Sequence, residues 1–135
     1  MTLEQRSILV AGPDPDLLDL IASRLTPLGI RVRRAHSLFE AMAYAEREAF
    51  DLAVVDQDLP AVGDVSLVAR LADAPSPVRV IVLVDPLRTT SYERAVESGA
   101  YRCLPRSRSW RELEHAVEEA LESRSPLTLQ TGASV

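Results

Sequence analysis

The chain has 135 residues, 47% of them hydrophobic and 26% charged. That is the size and balance of one globular domain, able to bury a core without disulfides or a structural metal. Its net charge of −5 argues against a dedicated nucleic-acid binder, which carries a basic footprint, and no apolar run approaches the ~20 residues that span a bilayer. The lone cysteine, Cys103, allows no internal disulfide and suits a reducing compartment. The opening MTLEQRS lacks the basic-then-apolar pattern of a secretory signal. These features predict a cytoplasmic protein with no membrane contact. All 15 cationic side chains are arginine, and the chain has neither lysine nor asparagine.

Ser7 to Ala11 is an apolar run suited to a buried strand, stopped by Gly12-Pro13-Asp14-Pro15. Asp14 is a good N-cap and Pro15 suits the first helical position. Leu17, Leu18, Ile21, Leu25 and Leu28 recur at helical spacing and predict a helix over 15–26, disturbed by Pro27 and closed by Gly29. Ile30 to Ala35 alternates apolar and charged residues, as an edge strand does. Ser37 and Glu40 form a capping box for a helix reaching about Ala49, with Leu38, Ala41, Met42 and Ala45 inward. Asp51 to Val55 is a third strand, ending at Asp56. Past Pro60 and Gly63, Asp64 is placed to cap a short helix through Leu71. Val78 to Val84 is the fourth strand and the most apolar stretch, ending at Asp85-Pro86. A fourth helix is expected from about Thr90 to Glu97, a short strand over Tyr101–Leu104, and a last helix capped by Ser109 and Glu112, with Leu113, Ala116, Val117, Ala120 and Leu121 inward. Residues 1–123 read as one domain and 124–135 as a loose tail.

Strands alternating with helices predict an α/β fold, a parallel sheet covered on both faces. The first strand is apolar throughout and belongs at the centre; the second is charged at alternate positions and belongs at an edge. The expected architecture is a flavodoxin-like (βα)5 three-layer sandwich with strand order 2-1-3-4-5. Ligands and chemistry in such sheets gather beyond the carboxyl ends of the strands, where Ala11-Gly12-Pro13 and Val55-Asp56 lie.

Over about residues 7 to 122, the pieces ILVAGPDPDLL, DLAVVDQDLP, VIVLV, SGA and WRELEHAVEEAL, in this order and spacing, resemble the receiver domain of two-component response regulators. The resemblance implies transfer of a phosphoryl group from a histidine kinase to an aspartate, the position of Asp56. It also implies a Mg²⁺ ion held by acidic residues just after the first strand, because a carboxylate attacking an anionic phosphorus needs its developing charge neutralised. Here those positions are Gly12 and Pro13, without side-chain oxygens, and Asp14 is better used as a helix cap. The hydroxyl expected at the end of the fourth strand is replaced by Val84. The lysine expected after the fifth is Arg106, with Pro105 one place early, and the aromatic switch position is Cys103. Arginine and lysine are not equivalent at a phosphate contact. Asp58 and Asp85 crowd the pocket with carboxylates, and Arg106 is expected to pair with Asp56 or Asp85 in place of a metal.

The expected function is therefore that of an atypical, or pseudo-, receiver. It would be a non-enzymatic signalling module without cofactor, with a vestigial Asp56, working by protein contacts independent of phosphorylation. The resemblance places the contact surface on the fourth helix, fifth strand and last helix, with Arg88, Tyr92, Arg94, Cys103, Trp110 and Arg111 as candidates for a signalling partner or a second copy, and no nucleic acid or membrane. Cys103 alternatively reads as a small buried hydrophobe and Trp110 as a packed residue. Two other readings stand beside it. One is a working acceptor at Asp56, with Asp14 or Asp58 helping to hold Mg²⁺. The other is a small-ligand-binding flavodoxin-like domain, against which stands the absence of a phosphate-cradling glycine loop after the first strand. With no further patterned segment after residue 122, the chain is expected to be a stand-alone receiver or part of a longer protein.

Overall fold

Successive residues of a strand face opposite sides of its sheet, and in this chain both sides are apolar. The computed structural model describes residues 5–59, 66–72, 77–85, 87, 97, 99–106 and 110–122. Its five parallel strands are β1 (Ser7–Ala11), β2 (Arg31–Ala35), β3 (Leu52–Asp56), β4 (Arg79–Val84) and β5 (Arg102–Pro105), in the predicted order β2-β1-β3-β4-β5. Ile8, Val10, Leu52, Val54, Ile81, Leu83 and Leu104 face one core. Their neighbours Leu9, Ala11, Ala53, Val55, Val80, Val82 and Val84 face the other. Burial on both sides is why β1, β3 and β4 read as continuous apolar runs rather than alternating ones. β2 is the edge, and its Arg31, Arg33 and Arg34 are exposed, which discourages pairing with another sheet.

Four helices cover the sheet among the described residues: α1 (Pro15–Leu25), α2 (Leu38–Arg47), α3 (Leu67–Ala72) and α4 (Arg111–Glu122). α1 and α4 close the first core with Leu18, Ile21, Leu25, Leu113, Ala116, Val117 and Leu121. α2 and α3 close the second with Leu38, Ala41, Leu67, Val68 and Leu71. The Asp14 carboxylate accepts the Asp16 N–H at 3.0 Å and starts α1. After Leu25 the chain tightens into a 3₁₀ turn, Thr26–Leu28. Because that turn advances by three residues rather than 3.6, Leu28, although it continues the helical spacing in the sequence, is exposed. Gly29 then takes the left-handed conformation, φ 81°, that favours glycine. At α2, Ser37 Oγ accepts the Glu40 N–H at 3.1 Å. The Glu40 carboxylate reaches back one residue further than a standard capping box, to the His36 N–H at 2.7 Å. That bond holds the Glu40 carboxyl below its usual range.

The boundaries shift by a residue or two from those predicted. The consequential shift is at β3, which runs through Asp56 and pairs it with Leu83 of β4. The expected helix over Thr90–Glu97, apart from Glu97, lies outside the described residues, as do Pro60, Gly63, Asp64, Ser109 and the 124–135 tail.

Candidate functional site

Asp56 is the sole charged residue buried among the described ones, 4% exposed. Such a carboxylate must be paired and hydrogen-bonded, or it gives up its charge. Arg106, just beyond β5, supplies the pairing. Its Nε donates to Asp56 Oδ2 at 2.9 Å and its Nη2 to Asp56 Oδ1 at 2.7 Å, the parallel two-bond geometry of a strong guanidinium–carboxylate pair. The same Nη2 donates to Asp58 Oδ2 at 2.7 Å. The Asp58 N–H adds a bond to Asp56 Oδ1 at 2.8 Å. Burial of the guanidinium works against its charge, but the Asp56 and Asp58 carboxylates outweigh that, and its pKa rises above the ordinary arginine value.

The strand order makes this clamp possible. β4 lies between β3 and β5, so Arg106 must cross the end of β4 to reach Asp56. Its backbone is fixed there by its N–H to Val84 O at 2.8 Å. Of the two expected partners, the one Arg106 reaches is Asp56. Asp85 turns to its own loop, where its Oδ1 accepts the Leu87 N–H at 2.9 Å.

The other predicted pocket residues come together around Asp56, each with a definable local role. Gly12 lies directly against it: a Cβ built at Gly12 would stand 3.0 Å from Asp56 Cβ and 3.4 Å from Leu18 Cδ2. Gly12 does not have positive φ, so the need for glycine here is close approach, not backbone conformation. We expect Gly12→Ala to destabilise the fold by about 1–2 kcal/mol through overpacking, read from urea unfolding. A change under about 0.3 kcal/mol would show that the two backbones can part freely. Pro13 offers no side-chain oxygen, and Asp14 is occupied as the α1 cap. No group of three or more His, Cys, Asp or Glu suited to a metal occurs among the described residues. On the α2/α3 side of Asp56 a cleft of about 470 Å³ is lined mainly by Leu38, Val55, Leu59, Leu67 and Val68, with Gln57, Asp58 and Ser66 adding polar groups.

One predicted contact residue needs correction. Trp110 is not a surface anchor: it is 9% exposed and packs in the first core with Leu104 and Leu113. The indole precedes α4, whose apolar face lies on the sheet, and burying so large a ring outweighs presenting it. Cys103 is half-buried on β5 against the second core, where burial pushes its thiol pKa up. Arg111 is exposed on α4. Arg88, Tyr92 and Arg94 lie outside the described residues.

One residue of the site escapes a reading of the sequence. The Gln57 side-chain carbonyl accepts the Asp85 backbone N–H at 2.7 Å, joining the ends of β3 and β4 across 28 positions. Its sole signal in the sequence is an uncharged polar residue between two aspartates.

The family match for the response regulator receiver domain covers residues 8–118. The chain belongs to that family. The receiver is 27% identical over 128 residues to the transcriptional regulatory protein GlrR of Escherichia coli (strain K12), covering 95% of this chain and 29% of that protein. It is 33% identical over 100 residues to an uncharacterized 14.6 kDa protein of Leptolyngbya boryana, covering 73% of this chain and 76% of that one. Its fold resembles a CheY-like receiver domain protein from Methanospirillum hungatei JF-1, with a TM-score of 0.78 at 23% identity over 89% of this chain and 96% of that one. The chain spans less than a third of the length of four regulatory proteins it matches. No helix among the described residues is long and apolar enough to cross a membrane.

Proposed function

We propose that this receiver of two-component signalling acts as a protein-interaction module independent of phosphorylation, with Asp56 in a structural role. The observation that carries the reading is the two-bond Arg106–Asp56 clamp. To accept a phosphoryl group, a carboxylate must present a free oxygen to phosphorus while a divalent cation neutralises the charge that develops. Both Asp56 oxygens are engaged by a guanidinium. The donor set does not suit Mg²⁺, which takes oxygen ligands in near-octahedral geometry: Gly12 and Pro13 have no side-chain oxygen, Asp14 caps α1, and Nη2 stands where the Asp56 and Asp58 oxygens converge. On this reading the module has no cofactor and no enzymatic activity of its own, and contacts neither nucleic acid nor membrane. Its partner is a signalling protein or a second copy, bound on the side of β5, α4 and the predicted fourth helix. A cytoplasmic location fits that role.

The test is direct. Incubation of the chain with Mg²⁺ and acetyl phosphate, followed by intact mass, is expected to give no phosphate adduct. A stoichiometric adduct that disappears in Asp56→Ala would overturn the reading and favour an acceptor in which Asp58 helps to hold the metal.

A further inference from the structure

Val84 ends β4 without a hydroxyl, so its side chain cannot hydrogen-bond anything at Asp56. Another side chain ties the exit from β4 to the site. Gln57 follows Asp56 directly. Its backbone N–H donates to Leu83 O at 2.9 Å, and its side-chain carbonyl takes the Asp85 N–H at 2.7 Å. The Asp85 carboxylate in turn accepts the Leu87 N–H at 2.9 Å. Together with the clamp, these bonds form one line from Arg106 through Asp56 and Gln57 to Asp85 and Leu87. Leu87 is 90% exposed, the most exposed large apolar side chain among the described residues.

We propose that Gln57 is a built-in strap that fixes the chain leaving β4, and with it the position of Leu87, without reference to the charge state of Asp56. The residue type suits the task. A backbone N–H just past a strand end needs an acceptor. A glutamine carbonyl supplies one at this reach without adding a third negative charge beside Asp56 and Asp58. The strap deepens the interaction-module reading and rests on it for its purpose, although not for its existence.

Amide hydrogen exchange of the full chain, followed by NMR, tests it with Gln57→Met, which keeps the length and removes the carbonyl acceptor. The Asp85 amide is expected to exchange about tenfold faster in the variant, equivalent to ~1.4 kcal/mol. Ile81 in β4 should stay unchanged. The strap is overturned if Asp85 exchanges alike in the wild type and the methionine variant, or if Ile81 accelerates in parallel, since the last marks general rather than local opening. A phosphate adduct on Asp56 would defeat the interaction-module reading and leave this exchange result standing. An unchanged Asp85 with no adduct would defeat the strap alone.

Discussion

Arg106→Met is expected to lower stability by about 2–4 kcal/mol, because breaking a buried pair leaves one charge uncompensated. Asp56 is 4% exposed and would keep, of its bonds to described groups, the one from the Asp58 N–H. Arg106 is 28% exposed along its side chain, so water can reach part of the vacated space, which sets the lower end of the range. Against a typical domain stability of about 5–15 kcal/mol, the loss is large. Urea unfolding followed by the fluorescence of Trp110, the chain's single tryptophan, measures it. Two further variants separate the causes. Arg106→Lys keeps the charge but not the paired geometry, and should fall between wild type and methionine. Arg106→Met with Asp56→Leu removes both charges and should recover most of the loss, as replacing a buried pair by apolar groups often does. A single Arg106→Met variant within about 0.5 kcal/mol of wild type would mean the clamp contributes little and Asp56 is held by other groups.

The second large effect concerns Trp110. Replacing it with alanine removes the largest side chain of the first core, and the expected cost is about 3–5 kcal/mol, measured by far-UV circular dichroism because the variant has no tryptophan. Phenylalanine keeps most of the apolar volume and should cost about 1–1.5 kcal/mol. The contrast with a surface anchor is sharp. An anchor changed to alanine would leave stability within about 0.5 kcal/mol and weaken only partner binding. That outcome would return Trp110 to the contact surface.

The two variants probe different ends of one short connection. Arg106 is tied to Asp56 and Asp58, and Trp110 is buried where α4 begins. Added salt screens exposed pairs far more than buried ones. The Arg106–Asp58 pair, with Asp58 at the surface, should weaken with salt before the Arg106–Asp56 pair does.

The sequence by itself determined the layers and the order of the strands. β1, β3 and β4 are apolar at every position that must face a core, β2 carries arginines at exposed ones, and the caps at Asp14 and Ser37 start their helices where the residue types require. These are local rules, each acting over a few residues. It also placed Asp56 at a strand end, and Gly12 and Pro13, without side-chain oxygens, just after the first strand. The tertiary structure alone decided which carboxylate Arg106 takes, that Trp110 turns inward, and that Gln57 reaches Asp85. The Arg106–Asp56 pair joins positions 50 residues apart, across an intervening strand. A pairing of that kind depends on the sheet being assembled, and on how the side chains share the space at its edge. Neither composition nor periodicity carries that information, because both describe neighbours along the chain and this site is made of neighbours in space.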